Sequence, residues 1–226
     1  MSTPPQVPAI RFEKIDKRYG GLYALRRVSL EIAAGECVVL AGRNGSGKTT
    51  LLRIAARLSR PSAGTVTLPD SPTVGFVAHA TMVYDELTAE ENLLLFGRLL
   101  GVPDVADHVA GLLSEIGLYE RRGSLVRTFS RGMRQRVAVA RALLHQPSVL
   151  LLDEPATGLD SISITWLART LERLRNGGCT MLMSLHGESE ISALATRGIR
   201  LENGTVAADS SSGASLQSIL TFPAAS

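Results

Sequence analysis

The sequence is poor in cysteine and in aromatic residues, and it has no long hydrophobic run. Only two of its 226 residues are cysteines, and 4% are Phe, Trp or Tyr. Cys37 and Cys179 both lie in apolar stretches, so we interpret them as buried side chains in a reducing compartment rather than as a disulfide or metal pair. No run reaches the roughly 18 apolar residues that a membrane-spanning helix needs. The Pro-rich segment 2–8 lacks the apolar core of a signal peptide, and we therefore expect a cytoplasmic protein.

A strong excess of charge of one sign is also absent. The net charge is +3, and the arginines that dominate the basic residues are spread along the chain. Because nucleic-acid-binding proteins concentrate positive charge in blocks or stripes, we expect no nucleic-acid partner. With 226 residues, 45% of them hydrophobic, the chain can bury one full α/β core and carry an inserted subdomain.

A glycine-rich loop is the most informative segment that is present. Residues 42–49 read Gly-Arg-Asn-Gly-Ser-Gly-Lys-Thr and fit the phosphate-binding pattern G-x-x-x-x-G-K-[ST]. An apolar run at 37–41 predicts a buried strand before the loop, and apolar residues at helical spacing up to Leu58 predict a helix after it, stopped by Pro61. Strand, loop and helix N-terminus form an anion site, because backbone N–H groups converge there on phosphate oxygens. A chance match in a flexible loop is the alternative, but the flanking pattern favours a nucleoside triphosphate site.

Two side chains at the end of this loop have predicted chemical roles. Lys48 can reach the β- and γ-phosphates as part of the catalytic set, and the Thr49 hydroxyl can ligate Mg²⁺. The loop residues predicted to bind the nucleotide are Gly42, Asn44, Gly45, Ser46, Gly47, Lys48, Thr49 and Thr50.

Two later apolar runs also end in polar residues that suit phosphate chemistry. Residues 149–152 lead into Asp153 and Glu154, and parallel strands present such residues at the edge of the sheet where ligands bind. We expect Asp153 to hold Mg²⁺ through water and Glu154 to orient or deprotonate the attacking water. The alternative is that the acidic pair only ends the strand, since Asp-Glu is also common after a hydrophobic run. The run 181–185 precedes His186, which can contact the γ-phosphate, although an isolated histidine is more often a surface or core residue.

The periodicity of the remaining chain predicts an α/β fold. Its P-loop NTPase core has a mainly parallel sheet, an N-terminal antiparallel β subdomain and an inserted α-helical subdomain. Residues 10–32 alternate as short antiparallel strands, and a capping box at Thr88 opens a helical block. We expect 10–86 and 145–208 to form the nucleotide-binding core, 87–144 the inserted helical subdomain and 209–226 a C-terminal tail. Asn203 and Gly204 predict a hairpin of type I′.

Five segments in this order resemble an ATP-binding cassette (ABC) ATPase. They are the loop with Lys48, Phe129-Ser130-Arg131-Gly132-Met133, Leu152-Asp153-Glu154-Pro155, Gly158-Leu159-Asp160 and His186. The resemblance covers 10–206 and implies that 1–226 is a single ABC ATPase domain. It further implies a head-to-tail dimer, with a homodimer expected, in which each ATP lies between the phosphate loop of one subunit and the signature segment of the other.

The resemblance also assigns residues. Tyr19 matches the aromatic residue that stacks on adenine, and Ser130 and Gly132 match signature positions that touch the γ-phosphate across the dimer. Asp160 matches the position that links the two sites. Tyr19 as an ordinary turn aromatic and Ser130 as a plain helix cap are the alternatives, and Ser130 can be both.

The chain departs from the family at the signature segment and after the strand at 74–77. Arg131 and Met133 replace a glycine and a glutamine; Arg131 either adds charge near the phosphates of the partner's site or points to solvent. His79 aligns with the glutamine that contacts Mg²⁺ and relays to the membrane partner. Because Mg²⁺ prefers oxygen ligands, we expect His79 to act on the metal through water, or through coupling.

These departures, with residues 84–93, resemble the haem-exporter ATPase of cytochrome c maturation. The resemblance implies an ATPase at the cytoplasmic face of the cell membrane that drives haem export through a separate polytopic subunit. An ABC transporter of another cargo and a soluble ABC protein of translation or DNA repair are alternatives. A P-loop kinase or GTPase is disfavoured by the signature segment.

Overall fold

A computed structural model describes residues 8–69, 73–185 and 190–221 of the chain. The strands are β1 (Ile10–Tyr19), β2 (Leu22–Ile32), β3 (Cys37–Ala41), β4 (Ala63–Thr67), β5 (Val74–Val77), β6 (Val149–Asp153), β7 (Thr180–Ser184), β8 (Arg197–Glu202) and β9 (Thr205–Asp209). The helices are α1 (Lys48–Ala55), α2 (Ala89–Leu99), α3 (Val105–Glu115), α4 (Arg131–Leu143), α5 (Ser161–Asn176) and α6 (Leu216–Leu220). Among these residues, no helix has the length and apolar character needed to cross a bilayer.

A six-stranded sheet forms the centre of the molecule. Its order is β5-β6-β7-β3-β8-β9, and all neighbours are parallel except the hairpin of β8 and β9. Strands β3, β6 and β7 are buried at every position, as expected for parallel strands covered on both faces. The hairpin turn has φ 48° at Asn203 and 77° at Gly204, which agrees with the predicted type I′ turn.

A second sheet of three antiparallel strands, in the order β2-β1-β4, comes mostly from the N-terminal part of the chain. The antiparallel pairing predicted within residues 10–32 is therefore confirmed. The prediction that these strands are short was wrong, since β1 has 10 residues and β2 has 11. Register shifts along the pair keep both strands hydrogen-bonded over this length while preserving a buried face.

Two apolar clusters lie on opposite faces of the central sheet. The alternation of side chains along β3 assigns Cys37 and Val39 to one cluster and Val38 and Leu40 to the other. The first cluster contains the buried faces of α2, α3, α4 and α5, and the second contains α1 and the three-stranded sheet. The molecule thus has helices on one side of the sheet, and one helix with a second sheet on the other. The predicted fold class is confirmed.

Helix ends follow local signals where side chains cap them. The predicted capping box is present, since Thr88 accepts from the Glu91 N–H and Glu91 accepts from the Thr88 N–H. Helix α1, by contrast, ends at Ala55 rather than continuing through Leu58. Arg57 takes a left-handed φ of 58°, which reverses the chain and leaves Leu58 exposed.

Candidate nucleotide site

The carboxyl ends of the parallel strands meet at one edge of the central sheet, where ligands bind in α/β folds. The glycine-rich loop leaves β3 after Ala41, Asp153 is the last residue of β6, and Ser184 is the last residue of β7. In the register of the sheet Ser184 lies beside both Leu40 of β3 and Asp153 of β6. The sheet therefore brings together the loop, the two predicted carboxylates and Ser184 from three separate parts of the sequence.

The loop is shaped to leave the first N–H groups of α1 available. Gly47 caps this helix with φ 108°, and a Cβ there would lie 2.6 Å from Leu25 Cδ2 and 2.7 Å from the Ala24 carbonyl oxygen. Only glycine fits this position. No side chain caps α1 and its first turn holds no acidic residue, whereas side chains cap α2, α4 and α5. An uncapped helix N-terminus of this kind suits an anion such as phosphate.

Lys48, the first residue of α1, is buried in the loop. Its Nζ donates to the carbonyl oxygen of Gly42 at 2.7 Å and to that of Arg43 at 3.1 Å. Burial lowers the pKa of the Lys48 ammonium, while the nearby carboxylates of Glu154 and Asp153 oppose this change. The cation is thus held over the loop by neutral oxygens, which it can exchange for more strongly bound phosphate oxygens.

Asp153 and Thr49 form the part of the site that suits a metal ion. The buried carboxylate oxygen Oδ1 of Asp153 accepts from Thr49 Oγ1 at 3.0 Å and from Ser184 Oγ at 2.8 Å. These are oxygen donors, as Mg²⁺ prefers. Within the described ranges no group of three His, Cys, Asp or Glu is arranged to hold a metal. The donor set therefore fits an ion that takes its other ligands from phosphates and water, as Mg²⁺ usually does.

Glu154 has an unusual backbone that is fixed by the neighbouring strand. Its φ is 52°, in the left-handed region, and its N–H donates to the carbonyl oxygen and to Oγ of Ser184 at 3.2 and 3.0 Å. Its Oε2 lies 3.4 Å from His79 Nδ1 and 3.5 Å from Thr157 Oγ1. Such a backbone costs a non-glycine residue about 1–3 kcal/mol, which the two hydrogen bonds of its N–H help to offset.

A cleft of about 820 Å³ joins most of the predicted residues. Its lining includes Tyr19, Asn44, Gly45, Gly47, Lys48, Thr49, Thr50, His79, Asp153 and Glu154. Gly42 and Ser46 are buried within the loop itself. Tyr19 is half-exposed at the end of β1, with Lys17 Nζ 5.0 Å from the centroid of its ring. His186 lies outside the described residues, so its predicted contact with the γ-phosphate stays a prediction.

Ser130, Gly132 and Asp160 do not line this cleft. Ser130 caps α4 by accepting from the Met133 N–H at 3.3 Å, and Asp160 caps α5 by accepting from the Ser163 N–H at 2.8 Å. That backbone hydrogen bond lowers the pKa of the Asp160 carboxyl. The three residues lie together because α4 and α5 begin side by side, where a Cβ on Gly132 would overlap Ser163 Oγ. Ser130 and Asp160 are exposed while Gly132 is buried, and the three mark a second surface, separate from the cleft of the same chain.

Arg131 is exposed, as one of the two alternatives expected, and its guanidinium lies against Gly158. A Cβ added at Gly158 would lie 2.7 to 2.9 Å from its atoms. Arg131 thus links the signature segment to the segment 158–160 of the same chain.

Two residues of the site were not predicted from the sequence. Ser184 connects Asp153 to the Glu154 backbone, and Gln135 Nε2 donates to the Pro155 carbonyl oxygen at 2.9 Å. The polar end of an otherwise apolar strand was a usable signal for Ser184. Gln135 is a polar residue on the buried side of α4, and buried polar side chains usually have such a partner.

Comparison with known proteins supports the resemblance to ABC ATPases that the sequence motifs indicate. A family profile described as ABC transporter matches residues 25–157. The ABC transporter ATP-binding protein NatA of Bacillus subtilis is 39% identical over 81% of this chain and 80% of its own length. The Nod factor export ATP-binding protein I of Burkholderia lata is 35% identical, covering 94% of this chain and 74% of its own. The aliphatic sulfonates import ATP-binding protein SsuB of Cupriavidus pinatubonensis is 36% identical, covering 92% and 70%.

Solved structures share the fold as well. The dimeric post-hydrolysis state of the ATP-binding cassette MJ0796, bound to ADP and Pi, superposes with a TM-score of 0.81 at 27% identity. The match covers 88% of this chain and 97% of that one.

Proposed function

Since the chain belongs to the ABC transporter family and is an ATP-binding, ATP-hydrolysing subunit, we propose that its cleft is a Mg²⁺-dependent site in which Glu154 activates the attacking water. The observation that carries this proposal is the convergence of Lys48, Thr49, Asp153 and Glu154 on one cleft from the ends of two strands of the central sheet, β3 and β6. A phosphate-binding loop alone would bind a nucleotide; the adjacent Glu154 supplies the base that hydrolysis needs.

Each residue of the cleft has a proposed role that follows from its chemistry. The loop N–H groups and Lys48 hold the phosphates and offset their negative charge. Thr49 and Asp153 would hold Mg²⁺, which neutralises charge on the phosphate oxygens. Glu154 takes a proton from water as the water oxygen bonds to the γ-phosphorus, and the bond from that phosphorus to the bridging oxygen breaks to release ADP. Tyr19 contributes a ring that can stack on the adenine.

From the second surface we infer that two chains act together. Ser130, Gly132 and Asp160 lie outside the cleft of their own chain, which supports a role for them at the nucleotide of another subunit. We propose a head-to-tail homodimer in which Ser130 and Gly132 contact the γ-phosphate held by the partner. The similar cassette MJ0796 is dimeric with ADP and Pi, which supports this arrangement.

We place the dimer on the cytoplasmic face of the cell membrane, bound to a separate polytopic subunit. ABC ATP-binding subunits work with membrane subunits, and the helical block 87–144 would pass the motion of the dimer to that partner.

The narrower proposal for the cargo is haem, and it depends on the sequence of segments 84–93 and 129–133 alone. The named relatives differ in direction and cargo: one is an importer of aliphatic sulfonates and another an exporter of Nod factor. Pull-down from detergent-solubilised membranes, with mass spectrometry and haem absorbance, tests the partner and the cargo together. Recovery of polytopic subunits without haem would support the transporter function but contradict haem as the cargo. Recovery of ribosomes instead would favour a soluble ABC protein.

The Glu154→Gln variant tests the site. We expect it to retain ATP binding but to lose roughly a hundred-fold or more in hydrolysis, because the amide cannot accept the proton. ATP should then convert the variant into a dimer that is visible by size-exclusion chromatography. Glu120→Gln, at an exposed residue of the helical block, is the matched control. Full hydrolysis by Glu154→Gln would refute the assignment of the base.

A further inference from the structure

We propose that His79 is a positioning residue for Glu154, with its Nδ1 orienting the Glu154 carboxylate toward the attacking water. The inference rests on the proposed role of Glu154 as the base. It differs from the role of the glutamine usually found at this position, which contacts the metal.

The register of the sheet explains why these two residues meet. Strands β5 and β6 are parallel neighbours, and their last paired residues are Val77 and Leu152. His79 and Glu154 each follow two residues after this pair. They therefore leave the same edge of the sheet side by side, on neighbouring strands about 4.8 Å apart.

The loop that carries His79 is held in place on both sides of it. The largely buried guanidinium of Arg141, in α4, donates to the carbonyl oxygen of Phe76 at 3.1 Å and to that of Met82 at 2.8 Å. Ala78, directly before His79, is buried as well. These contacts fix the backbone, so the imidazole can act from a defined position although 55% of the side chain is exposed.

The imidazole of His79 contacts Glu154, the proposed base, rather than Asp153 and Thr49, the residues proposed to hold Mg²⁺. His79 Nδ1 lies 3.4 Å from Glu154 Oε2, and the Glu154 side chain is only 18% exposed. The hydrogen bonds of the Asp153 carboxylate in the described residues come from Thr49 and Ser184. Catalytic contacts are often long before the substrate binds, and a small rotation of the ring would make this one a hydrogen bond.

Two amide substitutions separate the positioning role from a metal-contacting role. The side-chain nitrogen of Asn takes nearly the place of Nδ1 in His, whereas that of Gln reaches about as far as Nε2. If Nδ1 orients Glu154, His79→Asn should keep most of the activity. His79→Ala and His79→Gln should each lose roughly ten- to a hundred-fold in kcat, because a small misplacement of a catalytic group has an effect of that size. The KM for ATP should remain unchanged in all three variants.

The full-length chain is assayed by steady-state hydrolysis of ATP over a range of ATP and Mg²⁺ concentrations. Thr81→Ala, in the same loop but outside the cleft, is the control for disturbance of the loop. The variants are also made in the Glu154→Gln chain. The residual hydrolysis of that chain should not change on His79→Ala, because the Glu154 carboxylate through which His79 acts is already absent.

Three results would overturn the inference. His79→Ala could be as active as the wild type, His79→Gln could keep more activity than His79→Asn, or His79→Ala could lower the residual rate of the Glu154→Gln chain further. A wild-type chain without ATP hydrolysis would overturn both the proposed function and this inference, whereas the other results would overturn the inference alone.

Discussion

The contact between α4 and α5 predicts that Gly132→Ala removes both stability and activity, for one steric reason. An added Cβ would overlap Ser163 Oγ and lie 3.2 Å from Ser163 Cβ. Both residues are buried, so neither helix can yield without moving its neighbour. Overpacking of this kind costs about 1–3 kcal/mol, while alanine gains up to about 1 kcal/mol over glycine in a helix. We expect a net loss of roughly 1 kcal/mol in the free energy of unfolding.

The loss of activity should be larger than the loss of stability. A shift of α4 by a fraction of an ångström to about 1 Å displaces Ser130 from the γ-phosphate it is proposed to contact, and an error of that size can lower a rate by about a hundred-fold. Urea unfolding and steady-state ATP hydrolysis are measured on the same preparation. Gly111→Ala, on the exposed face of α3 with nothing near the added Cβ, should gain stability and keep its activity.

A second substitution decides whether the steric reason is correct. Ser163→Gly removes both atoms that the new Cβ would meet, so the double variant should recover most of the activity that Gly132→Ala loses. If Gly132→Ala is as stable as the wild type, or if Ser163→Gly restores nothing, packing against α5 does not explain the glycine. Close approach of the partner's nucleotide would then be the better explanation.

Two further predictions concern the metal and the edge of the sheet. Thr49→Val removes the hydroxyl that donates to Asp153, so a titration of hydrolysis with Mg²⁺ should shift to higher concentration; an unchanged titration would contradict the proposed ligand. Burial alone would raise the pKa of the Asp209 carboxyl, but hydrogen bonds from Arg197 and Ser211 lower it to about 2 from 3.8. Because the pKa of Asp209 is lower in the folded state than in the unfolded state, its interactions contribute about 2 kcal/mol to the free energy of unfolding above roughly pH 4. This contribution is lost as the pH falls through 2. Urea unfolding of Asp209→Asn should show that deficit at pH 7 and a shrinking one below pH 4. Glu202→Gln, in a more exposed pair with Arg200, should change stability by less than about 1 kcal/mol at pH 7.

Much of the fold could be predicted because its signals are local. The apolar run 37–41, the glycine-rich loop and the capping box at Thr88 each specify their own conformation within a few residues. The order of the strands has no such signal. Strand β3 lies between β7 and β8, more than 130 residues further along the chain, and that pairing depends on how whole faces pack. The length of β1 was missed for a related reason, since its register shifts interrupt the alternation that identifies a strand.

The candidate site likewise combines residues that local signals predict with contacts that depend on the pairing of strands. Lys48, Asp153 and Glu154 were predicted because each follows a strand, and the ends of parallel strands share one edge. The contact of His79 with Glu154 could not be predicted, because it depends on the register of β5 against β6. A shift of one residue in that pairing would separate the two side chains.

Glu154 is held from two sides that belong to different parts of the fold. Its N–H is bonded to Ser184 at the end of β7, which is fixed in the centre of the sheet. The next residue, Pro155, accepts a hydrogen bond from Gln135 in α4. A helix moves largely as a rigid unit, since its backbone is bonded internally, whereas the short segment after a strand follows whatever it is bonded to. The backbone around Glu154 is thus bonded both to the centre of the sheet and to the helix that begins in the signature segment.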